Sequence, residues 1–173
     1  MQKILLSILL CIITVSANDE WVYGSDIDAF TDKKKKYIIY NNKDHNIAMD
    51  SLGVFLIERK KYGKIYPYTD VLIRVDRNDI FHVGIETSVM ARKYIGEKIT
   101  DIKSTDKFIA FKFRNYTFQS LKVLHCEMSK GNILTIRYKD TNNINEDVVV
   151  PLTGVNKVLN QYYGKDGIPN CKK

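Results

Sequence analysis

The sequence predicts a β-rich α+β fold: an antiparallel sheet or sandwich with one short internal helix and an amphipathic helix near the C-terminus. Short β-branched and aromatic runs alternate with polar turns along most of the chain. Towards the C-terminus the apolar residues change to helical spacing. No repeat, low-complexity linker or Pro/Gly-rich hinge interrupts this pattern. We therefore expect one β-rich domain over residues 18–173, a length that suits a single core.

Residues 1–17 have the features of a signal peptide. Lys3 supplies the positive charge, residues 4–15 are almost all apolar, and Val15-Ser16-Ala17 is a small-residue cleavage site. An apolar run of that length is too short to anchor a chain across the ~30 Å hydrocarbon layer. We expect cleavage near Ala17 and a periplasmic or secreted product.

The cysteines predict one disulfide bond. Cys11 lies in the leader, and Leu10 precedes it where a lipoprotein signal needs a small residue. Cys126 and Cys171 remain as a pair in a chain sent to an oxidising compartment, where a structural disulfide is the expected state. On the chain-entropy account, closing this loop contributes about 4 kcal/mol.

The first part of the expected domain begins with an anchoring segment. Trp21 lies close to the expected mature terminus, where an aromatic side chain usually holds the chain onto the domain. The run Tyr37-Ile38-Ile39-Tyr40 predicts a strand that stops at Asn41-Asn42. The lysines at residues 33–36 are interpreted as a solvated entrance to this strand, with a phosphate- or lipid-binding patch as the alternative.

The middle of the chain predicts further strands and the internal helix. Residues 53–58 and 64–68 form β-prone runs around a polar turn, and residues 71–76 and 80–85 predict a hairpin. The helix is expected over residues 89–94, with Thr87 or Ser88 as its cap and Gly96 as its end.

The last part of the chain predicts three strands and the clearest helix. The strands are expected over residues 108–113, 133–138 and 148–150, the last ended by Pro151; residues 116–118 extend the β pattern, and residues 128–132 predict a turn. In the final helix Thr153 is the expected cap and Gly164 the end. Its apolar stripe, which needs a sheet to cover, consists of Val155, Val158, Leu159 and Tyr162.

No catalytic, cofactor or metal signature is present in the sequence. His45, His82 and His125 lack the spacing of zinc ligands, and no nucleophile elbow, phosphate-binding loop or dinucleotide fingerprint occurs. The acid pairs Asp26 with Asp28 and Asp76 with Asp79 are explained by solvated turns. We therefore expect a protein that is not an enzyme and needs no cofactor.

The net charge of +7 is scattered along the chain. It allows weak attraction to nucleic acid, anionic lipid or an acidic protein, although an AT-rich genome also produces such a composition. Basic and aromatic residues with some character of a nucleic-acid-binding sheet are Arg74, Lys112, Arg114, Arg137 and Tyr138. Because an exported protein rarely meets nucleic acid, we expect an envelope or periplasmic protein as partner, with proximity to a membrane surface left open.

The order of several motifs resembles a family of small exported bacterial and phage proteins that includes the VasI/TagO-like accessory proteins of type VI secretion. The motifs are Trp21, the Ser/Asp-rich residues 25–32, Ile73-Arg74-Val75-Asp76, residues 149–154 and Cys171. The family often has its first cysteine in an early strand, whereas Cys126 is late in this chain. The resemblance implies a periplasmic, non-enzymatic β-rich module that works by binding.

The leading functional hypothesis is an exported binding or accessory protein, serving either a secretion system or a phage that blocks an envelope function. Its expected interface is an aromatic and basic face that includes Trp21, Tyr37, Tyr40, Tyr66 and Tyr68. The alternative for each of these aromatic residues is a place in the core. An envelope-acting hydrolase, or an inhibitor of one with a protruding loop at residues 41–49 or 141–147, is the second hypothesis. The sequence predicts no oligomeric state.

Overall fold

A computed structural model describes residues 20–27, 34–51, 53–60, 65, 70–83, 103–104, 107–112, 121–164, 167–168 and 171. Several predictions lie outside the described residues. They are the leader over residues 1–17, the helix over residues 89–94, the β pattern at residues 116–118, and the interface residues Tyr66 and Tyr68.

The described strands form two antiparallel sheets, which confirms the predicted fold class. The larger sheet has the strand order β1-β2-β3-β4-β8-β7, and the smaller has the order β10-β9-β5-β6. The strands of the larger sheet are β1 (Glu20–Ile27), β2 (Lys34–Asn41), β3 (His45–Asp50), β4 (Val54–Arg59), β7 (Lys103–Ser104) and β8 (Phe108–Lys112). The strands of the smaller sheet are β5 (Val71–Val75), β6 (Phe81–Val83), β9 (Ile133–Lys139) and β10 (Asn145–Pro151).

Local sequence explains most of these boundaries. The predicted hairpin is confirmed, because β5 pairs with β6 through Val71 opposite Val83 and Ile73 opposite Phe81. Strand β2 ends at Asn41, as predicted, and the chain turns tightly before His45. Residues 45–49 are therefore part of a buried strand, and the protruding loop considered for residues 41–49 is a wrong prediction.

The core lies between the two sheets and the helices. Inward-facing side chains of both sheets belong to one hydrophobic cluster, for example Ile38, Phe55 and Ile57 from the larger sheet and Ile73 and Ile136 from the smaller. The central strands of the larger sheet are buried on their second face as well, through Ile39, Ala48, Leu56 and Ala110. The smaller sheet, in contrast, alternates buried and exposed residues along β5, β9 and β10.

The structure describes two helices, α1 (Leu121–Lys130) and α2 (Val155–Tyr163), and strands β9 and β10 lie between them in the chain. Helix α2 confirms the predicted C-terminal helix. Its stripe of Val155, Val158, Leu159 and Tyr162 is buried, and the helix packs on β1 and β2. Gly164 ends it, with a φ of 83° and its N–H donated to the carbonyl of Asn160. The cap prediction is wrong: Gly154, with a φ of 82°, precedes the helix, and no side chain caps it.

Helix α1 is a correction to the sequence analysis, which predicts a turn at residues 128–132. The helix extends to Lys130, and the chain turns only at Gly131, whose N–H is donated to the carbonyl of Glu127. A Cβ at position 131 would overlap the side chain of Val75, so the turn needs glycine there. Near the middle of α1, Cys126 is bonded to Cys171, which confirms the predicted disulfide.

Candidate functional site

The outer face of the smaller sheet combines exposed apolar and basic side chains. Leu72 and Arg74 of β5 and Thr135 and Arg137 of β9 point away from the core, because their neighbours along each strand are buried. Val149 of β10 does the same between the buried Val148 and Val150. We call the surface formed by Leu72, Arg74, Ile80, Thr135, Arg137, Asp147 and Val149 the outer face.

Strand register arranges these side chains in two rows. In the first row Leu72 lies between His82 on one side and Arg137 on the other, and Arg137 lies opposite Asp147. In the second row Arg74 lies opposite Thr135, and Thr135 lies opposite Val149. Since neighbouring strands are about 4.8 Å apart, a row across four strands spans roughly 15 Å. That width suits a peptide segment or the edge of a folded partner.

A shallow hollow lies at the centre of the outer face. It is lined by Leu72, Arg74, Ile80, Thr135 and Arg137. The aliphatic side chains provide its apolar surface, while the two arginines bring positive charge to the same place. A hollow of this kind fits an apolar side chain that has a carboxylate nearby.

Arg137 is held in place by Asp147. Nε and Nη2 of Arg137 donate to the two carboxylate oxygens of Asp147 at 2.6 Å each. These hydrogen bonds lower the pKa of Asp147, with a further contribution from Arg74, and raise the pKa of Arg137. A bidentate pair fixes the plane of the guanidinium, so Arg137 is presented in one orientation.

Exposed apolar side chains concentrate on and around the smaller sheet. Ile80, Ile133 and Val149 are 50%, 42% and 57% exposed, and Ile144 in the β9–β10 turn is 62% exposed. Within the described residues only Ile27 and Val123 are other large hydrophobic side chains with comparable exposure. Clustered exposure of this kind marks interaction surfaces, whereas single exposed apolar residues do not.

A second group of polar side chains connects the two sheets: His45 and Tyr138 are buried, whereas Arg59 and Glu146 are partly exposed. Nε2 of His45 is 3.0 Å from the hydroxyl of Tyr138, and Nη1 of Arg59 is 2.5 Å from a carboxylate oxygen of Glu146. Burial, and then Arg59, lowers the pKa of His45, while burial and Glu146 raise the pKa of Tyr138. These residues join β3 and β4 to β9 and β10, so we assign them a role in sheet packing.

The aromatic residues that the sequence analysis selected divide between core and surface. Trp21 and Tyr40 are 7% and 2% exposed, and their rings pack together at 5.3 Å. Nε1 of Trp21 donates to the carbonyl of Pro151, which ties β1 to β10. Both side chains lie in the core, which was the alternative stated for them. Tyr37 is half-buried and packs on the cluster of the second face.

Of the two acid pairs considered in the sequence, the structure describes Asp76, Asp79 and Asp26, while Asp28 lies outside the described residues. Both carboxylate oxygens of Asp76 accept from the backbone of Asn132, and Oδ1 also accepts from Ile133 at 2.9 Å, so this residue secures the start of β9. Oδ1 of Asp26 accepts from the backbone N–H of Ile27. Among the described residues, no three His, Cys, Asp or Glu side chains are grouped as metal ligands.

The residues of the outer face were only partly visible in the sequence. Basic character alone identifies Arg74 and Arg137, whereas nothing in the local sequence places Thr135 and Val149 on the same surface. Their signal is the alternation along each strand, which separates a buried set from an exposed set but does not identify two strands as neighbours.

Comparisons with protein families, with characterised proteins and with solved structures find no match for this chain. No helix in the described ranges has both the length and the apolar content needed to cross a membrane.

Proposed function

We propose that this chain is an exported, non-enzymatic binding or accessory protein that docks on an envelope or periplasmic protein through its outer face. The leader at residues 1–17 supports export, and the bond between Cys126 and Cys171 suits an oxidising compartment. Secretion-system accessory and phage-encoded envelope factor are the two settings in which such a protein would act.

One observation carries the choice of surface. Among the described strands, those of the larger sheet are buried centrally on both faces, whereas the smaller sheet presents Val149, Ile80 and two arginines to solvent. Exposed apolar area costs solubility unless a partner covers it, and arginine is among the side chains that contribute most at interfaces.

The charge of the outer face indicates the chemistry of the partner. Asp147 engages Arg137, so Arg74 leaves an excess of positive charge beside the apolar hollow. A partner segment with an apolar side chain next to a carboxylate would complement both features. Charge complementarity would speed association and select orientation, while the apolar contact would supply affinity.

A photo-crosslinking amino acid at position 149 tests this proposal in native periplasm. We expect one discrete envelope protein to be captured at position 149 and not at position 157, where exposed Lys157 of α2 serves as the matched control. Arg74→Glu should reduce that capture at least tenfold, because it reverses the charge beside the hollow. Lys157→Glu, with the same change of charge, should leave capture intact.

Two results would overturn the proposal. One is equal capture at positions 149 and 157, which would mean that the outer face has no partner. The other is turnover of purified peptidoglycan by the protein, which would establish an enzyme.

A further inference from the structure

A basic cleft lies away from the outer face, between β2, the β3–β4 turn and the two helices. Its lining includes Lys34 and Lys36 from β2, Lys122 from the start of α1, and Tyr162 and Tyr163 from the end of α2. The volume, about 310 Å³, is at the lower end of the range for small-ligand clefts, roughly 300–1,000 Å³. The cleft is open to solvent and is large enough for a head group.

Among the described residues that line this cleft, three are lysines and one, Asp50, is a carboxylate. Asp50 also lines the cleft, but it is buried, and its Oδ1 accepts the backbone N–H of Val54 in the β3–β4 turn. Nζ of Lys36 donates to the carbonyl of Tyr162 at 2.8 Å, which fixes that ammonium group at the cleft wall. The balance of formal charge in the lining is therefore positive.

Lys34 and Lys122 are exposed, and neither forms an ion pair with a side chain in the described ranges. Lys122 lies in the first turn of α1, which contains no acidic residue. A cation there is disfavoured by the helix dipole, which prefers anions at that end. Two separate elements thus bring positive charge to one cleft, and this charge exceeds that of the buried Asp50 carboxylate.

We infer that this cleft binds a phosphate group, either as soluble phosphate or as the head group of an anionic phospholipid. The ammonium groups of Lys34 and Lys122 supply charge from two sides, and Lys36 adds a third ammonium fixed in position. Tyr162 and Tyr163 provide a wall against which the glycerol or ester part of a ligand packs. The inference uses a different surface from the proposed protein interface and does not depend on it.

The test compares the oxidised protein with Lys34→Gln/Lys122→Gln and with a charge-matched control, Lys43→Gln/Lys157→Gln. Thermal unfolding is measured in inorganic phosphate and in chloride at equal ionic strength. Co-sedimentation is measured with phosphatidylglycerol vesicles and with phosphatidylcholine vesicles. Circular dichroism confirms that each variant is folded.

If the ligand is soluble phosphate, phosphate at ten times its dissociation constant should raise the Tm of the native and control proteins by roughly 3 °C or more. A lipid source predicts selective sedimentation with phosphatidylglycerol, on the order of 30-fold weaker in Lys34→Gln/Lys122→Gln, because each lysine near an anionic surface contributes several-fold. Either pattern supports the inference. The inference would be overturned if neither phosphate nor phosphatidylglycerol vesicles bound the native protein. It would also be overturned if the two double variants lost the same amount of phosphate stabilisation or vesicle binding.

Discussion

At the scale of single residues, His125 is the group whose protonation matters most for stability. It is fully buried in α1, with Nδ1 2.8 Å from the hydroxyl of Tyr163 and Nε2 3.3 Å from Sδ of Met49. Burial lowers the pKa of His125 from 6.5 to about 3. Between these values the unfolded chain binds a proton that the folded protein excludes, so stability falls as the pH falls.

We predict that the free energy of unfolding decreases between pH 6.5 and pH 3, with His125 contributing up to about 1.4 kcal/mol per pH unit. Urea unfolding of His125→Gln should show a flatter dependence of stability on pH than the native protein over this range. The buried His45 contributes in the same direction, because its pKa is also lowered. An unchanged slope in His125→Gln would contradict this assignment.

Gly24 in β1 allows the ring of Tyr37 to lie across the strand pair. The two residues are directly opposite, and a Cβ at position 24 would overlap that ring. We predict that Gly24→Ala destabilises the protein by about 1–3 kcal/mol, as overpacking does. In a Tyr37→Leu background the same change should be neutral or stabilising, since glycine by itself weakens a strand. Equal costs in the two backgrounds, measured by urea unfolding, would exclude this explanation.

At the scale of elements, the group of polar side chains that includes His45 and Tyr138 joins the two sheets through β3 and β9. The hydroxyl of Tyr138 is the partner of His45, and both side chains are buried. We predict that Tyr138→Phe lowers the free energy of unfolding by about 1–3 kcal/mol, because the buried imidazole nitrogen loses its hydrogen bond. Thr135→Val, on the outer side of the same strand, should change it much less. Denaturant titration measures the free energy of unfolding of both variants. Equally small losses in the two would mean that the hydrogen bond between Tyr138 and His45 does not help to hold the sheets together.

The two helices show how far element prediction from sequence extends. In α2 the stripe positions are all apolar, and the flanking Gly164 signals the end, so pattern alone finds the helix. In α1 the buried positions Leu121, Leu124, His125 and Met128 have the same spacing. A histidine at one of these positions and an exposed Val123 obscure the stripe. Burial of His125 depends on tertiary partners that local sequence does not reveal.

The candidate site was less predictable than the strands that form it. Alternation along β9 and β10 separates inner from outer side chains, so it explains why Arg137 and Val149 are exposed. The pairing of β5 with β9, which completes the outer face, joins residues about 60 positions apart. Aromatic side chains are common both in cores and at interfaces, so composition alone leaves both places open for Trp21 and Tyr40, whereas the structure buries both.

At the scale of the whole molecule, the disulfide ties α1 to a segment that follows α2. Cys126 and Cys171 are separated by 45 positions, and the loop between them includes β9, β10 and α2. We predict that reduction, or Cys126→Ser/Cys171→Ser, lowers the free energy of unfolding by about 4 kcal/mol. Urea unfolding with and without reductant measures this, with reductant on the serine variant as control. A loss below about 1 kcal/mol would show that the bond is dispensable.

Mass spectrometry of material isolated from its native host tests the proposed export and oxidative maturation most directly. We expect a chain that begins at Asn18, in which Cys126 and Cys171 are joined and no thiol can be alkylated. Retention of Met1 together with alkylation of Cys11, Cys126 and Cys171 would contradict it, because the protein would then mature in a reducing compartment.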